Sequence, residues 1–174
     1  MGGCDSAKAV YAAADGTAGF GPPGAIGKVD EPWGHVMRDG RPAPLQSDNP
    51  PVMGPAGRVH CTIADWGKFI GVYLDLADAH HHLVSAPTLK ALITPGPTGE
   101  YNGGWLLTTR DWADGQALNH AGSNTMWYCV VWAAPKKHFA VLVATNIAAP
   151  DTPQVLDGVA SALIQLHESK HMGR

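Results

Sequence analysis

Apolar positions are spread unevenly along the chain, and their spacing divides it into three stretches. Residues 16–57 show no period: Phe20, Trp33, Val52 and Met53 stand isolated among polar and turn-forming residues. From Ile63 the period becomes helical. Ile63, Trp66, Phe69, Ile70, Tyr73 and Leu74 recur about every 3.6 residues, which predicts an amphipathic helix over 63–78. Thr62 stands at the N-cap, and Asp65 occupies the capping-box place three residues on. Ser85-Ala86-Pro87 opens a second, shorter helix with Leu89, Leu92 and Ile93 on one face, and Pro95-Gly96-Pro97 stops it. Beyond residue 100 the pattern is that of a sheet. The segments 101–109, 117–119, 126–134 and 139–146 are rich in aromatic and β-branched residues, with turns at Asp114-Gly115 and Pro135-Lys136-Lys137. The unbroken apolar run 139–144 predicts a central strand covered on both faces. Asp151 or Thr152 then caps a last helix with Pro153 in its first turn. Its apolar stripe is Val155, Leu156, Val159, Leu163, Ile164 and Leu166.

Composition explains the aperiodic first stretch. Gly (21) and Pro (14) make up about a fifth of the 174 residues, and nine Gly and eight Pro fall within 16–57. Each proline removes a backbone donor and restrains the residue before it, so no helix of ordinary length fits there and any strand must be short or at an edge. The stretch reads as a long irregular loop (19–57) pinned by a few apolar anchors. It belongs to one domain, 19–174, whose helices and antiparallel sheet occupy 58–174, after an N-terminal extension 1–18. With 45% hydrophobic and 16% charged residues the chain can bury a core. A net charge of −3 offers no footprint for nucleic acid or anionic lipid, and the apolar run 127–134 falls far short of the ~20 residues that span a bilayer. Neither partner is expected. Cys4, Cys61 and Cys129 are odd in number and lack C-x-x-C spacing, and no leader-like apolar run opens the chain. This points to a reducing, cytoplasmic setting.

Three segments carry a family resemblance. Gly57-Arg-Val-His-Cys-Thr62-Ile-Ala-Asp65-Trp-Gly-Lys-Phe69 resembles the Gly-Gly-x-x-x-Thr-x-x-Asp-x-x-x-Phe helix entry of class C-like serine β-lactamases, whose superfamily includes penicillin-binding proteins and family VIII carboxylesterases. His120-Ala121-Gly122, followed by Pro135 and the run 141–146, resembles the third active-site motif of that family and the strand pair beyond it. Gly103-Gly104-Trp105 fits the strand just before. The similarity runs from about Gly19 to Leu166 and matches the C-terminal half of the family's catalytic domain. It implies a partial serine β-lactamase/transpeptidase-like fold of the α/β (α+β) type: an antiparallel sheet flanked by helices.

By that resemblance, His120 lies beside the nucleophile's pocket and Gly122 lets substrate backbone approach. The Ser123 N–H becomes an oxyanion-hole donor, a group worth ~3 kcal/mol in the transition state. Trp33, His35 and Asn124 are the candidate substrate-binding residues. The implied ligand is a small ester or β-lactam-like molecule, with no cofactor. The family acylates a Ser in S-x-x-K, assisted by the Lys and by a Tyr of Y-x-N or Y-x-S. No Ser here is followed three residues later by Lys, and Tyr11, Tyr73, Tyr101 and Tyr128 lack the second pattern. No G-x-S-x-G elbow occurs either. The resemblance places both missing motifs ahead of this chain, so weak activity or none is expected of it alone, and a non-catalytic binding remnant is the rival reading. Ser123 as an alternative nucleophile with His120 as its base meets a geometric objection. Residues three apart on an extended segment face opposite ways. The family sheet also takes strands and a helix from the N-terminal half. The expectation is therefore a homodimer, or a complex with a complementing half, through strand edges or the 153–167 helix face. Residues 1–18 folding back are the alternative cover.

Other candidates have bland readings. His167-Glu168-Ser169-Lys170-His171 is a literal H-E-x-x-H, which on a helix puts two imidazoles on one face. Only three residues follow to supply a third ligand, so His167 and His171 are weak metal candidates, and a cationic helix end is the favoured reading. His80-His81-His82 reads as a solvated helix-to-loop junction. Trp127, Tyr128 and Trp132 read as sheet packing, and Cys129 as an inert buried thiol.

Overall fold

A computed structural model of the chain describes residues 17–75, 84–97 and 99–171, the His171 side chain excepted. The extension before residue 17, the expected helical residues 76–78 and the histidines 80–82 lie outside the described residues. Among the described residues, nine strands and four helices follow in order. β1 (Gly19–Phe20) pairs antiparallel with β4 (Val59–His60). Between them lie a hairpin of β2 (Gly34–Arg38) and β3 (Arg41–Leu45), a single 3-10 turn, and the short helix α1 (Gly54–Gly57). Then come α2 (Ile63–Leu74), α3 (Ala86–Leu92), β5 (Tyr101–Asn102), β6 (Trp105–Arg110), β7 (Gly115–Ser123), β8 (Tyr128–Ala134), β9 (Phe139–Thr145) and α4 (Thr152–His171). The last five strands form one sheet in the order β5-β6-β7-β8-β9, each beside its sequence neighbour, as short links require.

The helix starts agree with their capping residues. Asp65 N–H donates to Thr62 Oγ1 (3.3 Å), and Ser85 Oγ accepts from Thr88 N–H (3.4 Å). Three features differ from the sequence reading. The first is that the loop 19–57 contains a register-defined hairpin. Its turn is Asp39-Gly40 with φ of 49° and 72°, the double positive φ of a type I′ turn, and Arg38 faces Arg41. Pro42 and Pro44 are two apart, so both missing donors fall on the outer edge of β3 and the ladder to β2 is intact. The second is that β7 extends over nine residues, well beyond 117–119, because pairing with β6 overrides the weak strand preference of its Gly, His and Ser positions. The third concerns β9, expected to be central. It stands last among the described strands of its sheet, with Val141 its buried residue. An apolar run reports burial but not position in a sheet.

The described chain forms two compact units. One comprises residues 17–69, 122–129 and 144–155, the other 70–121, 130–143 and 156–171. The second holds the apolar core. Ile70, Leu118 and Val131 are its largest fully buried side chains, and apart from Met126 every buried hydrophobic residue among those described belongs to it. Within it, Leu156, Ala160 and Ile164 of α4 are buried, the latter two against Val141, Trp132, Phe139 and Val143. Trp132 Nε1–H donates to Asp157 Oδ1 (2.9 Å). The first unit adds to its two short ladders side-chain to backbone hydrogen bonds, among them Asn49 Nδ2–H to Gly57 O (2.8 Å) and His60 Nδ1–H to Gly21 O (2.7 Å). Such bonds keep an irregular backbone satisfied where no ladder or helix does so.

Candidate active site

Strand β7 carries the His-x-Gly segment. Asn119 Nδ2–H donates to Val131 O (2.9 Å), tying β7 to β8 by a side chain as well as by the ladder. Leu118, just before it, is fully buried, whereas His120 is exposed. The His120 ring meets buried Trp105 edge-on, with centroids 6.5 Å apart, and Trp105 in turn meets Tyr73 edge-on at 5.0 Å. The exposed imidazole thus has aromatic packing behind it.

Two residues on, a Cβ placed at Gly122 would meet only Cys129 Sγ, at 3.9 Å. The Gly122 N–H donates to that sulfur. Burial pushes the Cys129 thiol above its ordinary pKa, against the lowering effect of this N–H. Cys61 is raised too, by burial first and then by the Asp65 charge. Both are free thiols held protonated, poor nucleophiles.

At the end of β7 the chain makes a tight turn whose bonds come from two side chains. Ser123 Oγ–H donates to Trp127 O (2.6 Å) and the oxygen accepts from Thr125 N–H (3.0 Å). Asn124 Oδ1 accepts from both Met126 N–H (3.2 Å) and Trp127 N–H (2.9 Å). Together they hold Thr125 at φ 73°, a conformation that a β-branched residue adopts only under such constraint. Asn124 also reaches outward: its Nδ2–H donates to Asp48 Oδ1 (2.9 Å), and Asp48 Oδ2 accepts from Arg58 Nε (3.4 Å). The Asp48 side chain is only 5% exposed. Asp48 and Arg58 carried no signal in the sequence beyond being charged residues in and after a Gly/Pro-rich loop; only the fold brings them to the turn.

The other expected ligand-binding residues lie in the same unit with defined partners. His35 N–H donates to Met126 O (3.1 Å), and its Nδ1–H donates to Asn146 O (2.9 Å), which fixes the tautomer with Nε2 unprotonated when neutral. Asn146 Nδ2–H donates to Trp33 O (2.9 Å), and Trp33 Nε1–H to Lys28 O (2.9 Å). Gly34 is where β2 passes closest to the turn. A Cβ there would lie 2.5 Å from Trp127 Nε1 and 2.7 Å from Met126 Cβ. His167, half of the H-E-x-x-H pair, stacks on Phe139 with ring centroids 3.7 Å apart and 11° between planes. Among the described residues no three His, Cys, Asp or Glu side chains gather as a metal site. Nor is any helix among them long and apolar enough to cross a membrane.

No curated protein sequence matches this chain significantly. Solved structures do. An octameric penicillin-binding protein homologue from Pyrococcus abyssi is similar with a TM-score of 0.62 at 18% identity, over 90% of this chain and 35% of its own. The structure of SurE is similar with a TM-score of 0.62 and 18% identity, over 85% of this chain and 36% of its own. The chain thus spans about a third of the length of these structures, and at such identity the likeness speaks for the fold. A family model, that of the β-lactamases, matches residues 3–166. With nearly its whole length under that match, and a mixed helix and antiparallel-sheet fold shared with a penicillin-binding protein homologue, the chain belongs to the β-lactamase family.

Proposed function

We propose that this chain supplies the oxyanion-donor side of a serine-hydrolase site for esters or cyclic amides, and does not itself form an acyl-enzyme. The carrying observation is the end of β7. The segment His120–Ser123 runs directly into a turn closed by Ser123 and Asn124, with a glycine where substrate would approach. The Ser123 hydroxyl donates to the Trp127 carbonyl oxygen, an orientation suited to holding the turn and not to attacking a substrate. No S-x-x-K stands elsewhere in the 174 residues to supply the nucleophile. In this reading Gly122 borders the ligand, the Ser123 N–H faces its carbonyl oxygen, and Trp33, His35 and Asn124 shape its surroundings, with His120 preceding them on the same strand.

Two measurements on the full chain test it. Intact-mass analysis after incubation with a fluorophosphonate and with a fluorescent penicillin should show no adduct. Titration with benzylpenicillin should shift the amide resonances of Gly122 and Ser123. A stoichiometric adduct on any serine sinks the non-acylating part, and unmoved amides remove the ligand site. A non-catalytic binding module is the second reading, favoured by the same use of the Ser123 hydroxyl. It predicts bound ligand without turnover even when a complementing half bearing S-x-x-K is added. A metal-dependent site on His167 and His171 would show as stoichiometric zinc after dialysis.

A further inference from the structure

We propose that Asp48 is a positioning residue for the oxyanion turn, acting through Asn124 and held by Arg58. The inference rests on the reading that Ser123 presents its N–H to a substrate carbonyl. The chemistry is a matter of how many acceptors each side chain has. The Asn124 amide has one oxygen, and that oxygen is already shared by the N–H groups of Met126 and Trp127. It stays aimed at them only if its nitrogen is held on the other side, and the Asp48 carboxylate holds it at 2.9 Å. An amide nitrogen needs an acceptor, and only a carboxylate can accept there while its second oxygen also accepts from Arg58 at 3.4 Å. Burial of the Asp48 side chain keeps water from substituting for either partner. The two donors, Arg58 and Asn124, therefore converge on Asp48. The rotamer of Asn124 follows from it, and with that rotamer the path of residues 123–127. An Asp in a proline-rich loop, 76 residues away in sequence, thereby sets the geometry of a turn it does not belong to.

The polarity argument makes a sharp test. In Asp48→Asn, one of the two carboxylate oxygens is replaced by an NH2 that faces a donor, so residue 48 loses either Asn124 or Arg58. In the double swap Asp48→Asn with Asn124→Asp, every bond returns, and only the one between residues 48 and 124 has its polarity reversed. The carboxylate now at position 124 accepts from Met126 and Trp127 with one oxygen and from the amide now at position 48 with the other. The oxygen of that amide accepts from Arg58. The readout is the amide spectrum and hydrogen exchange of the full chain, with thermal unfolding recorded beside it. The expected result for Asp48→Asn is displaced Ser123, Thr125 and Trp127 amide resonances. Met126 and Trp127 amides should also exchange about tenfold faster, the effect of losing one charge-assisted bond. The double swap should restore both. Unmoved turn amides in Asp48→Asn, or a double swap no better than the single change, would overturn the proposal. Should Asp48→Asn fail to fold, the double swap decides: native-like turn resonances uphold the clamp, and displaced ones or an unfolded chain reject it. A benzylpenicillin titration of the wild type keeps the two readings apart. If the turn responds to Asp48→Asn but Ser123 never responds to the penicillin, the clamp stands and the hydrolase-site reading falls.

Discussion

Gly103 sits at φ 57° in the turn between β5 and β6, and a Cβ there would lie 2.6 Å from the carbonyl oxygen of Leu92. Both the conformation and the space demand glycine. The substitution Gly103→Ala should destabilise the fold by about 1–3 kcal/mol, seen as a lower urea midpoint. Gly67 is the contrast: it lies within α2 with open space at its Cβ, so Gly67→Ala should stabilise by about 0.5–1 kcal/mol. Both glycines look alike in a sequence, and the spacing counted Gly103 within a strand over 101–109 where the structure has the turn between β5 and β6. The same limit applies to Asp48. Its importance comes from being buried against Asn124 and Arg58, and no local pattern announces a contact 76 residues long.

At the level of elements, the entry of α2 buries a charge. Asp65 is 3% exposed and bonded by Thr17 Oγ1, by its own N–H to Thr62, and by Lys68 Nζ at 2.9 Å. The Thr17 hydroxyl and then Lys68 hold its carboxyl below the ordinary value of 3.8. A depressed folded-state pKa means the stabilisation is complete above the unfolded value and disappears as pH falls through the folded one. Urea unfolding across the acid range should therefore show wild type losing stability below about pH 4, with Asp65→Asn flatter there. Parallel curves would reject this role for Asp65. The helix start was legible because Thr62, Asp65 and the apolar spacing all lie within one turn of each other. The hairpin of β2 and β3 was legible in part. Asp39-Gly40 is a strong type I′ signal, but Pro42 and Pro44 obscured the strand beside it.

For the whole molecule, α4 and β9 bear on association. Leu156, Ala160 and Ile164 are buried, while Val155, Val159, Leu163 and Leu166 are 42–54% exposed, a second apolar stripe at helical spacing. β9 ends the order of the described sheet and carries no charge, Pro or Gly to discourage pairing along its edge. These features support the proposal that the chain associates with a second copy or a complementing chain through the edge of β9 or this face of α4. Light scattering at micromolar concentration should give a mass above the 18.3 kDa of one chain, and Leu163→Glu should lower it. A wild type at 18.3 kDa would dismiss the idea.

Local spacing was enough to determine α2, α3, α4, the strand character of the chain beyond residue 100 and, through short motifs, the family, although the expected strand 101–109 is the pair β5 and β6 and β7 outruns 117–119. Each of these signals is carried by residues within a few positions of one another, where backbone geometry links sequence to structure directly. Tertiary structure alone decided that β9 stands last in its sheet, that nearly all buried apolar side chains fall in one of two units, and that Asp48 grips Asn124. Sheet order, burial and long-range hydrogen bonds depend on which distant segments meet. An apolar run or an isolated aspartate carries the same local pattern whichever neighbour it finds.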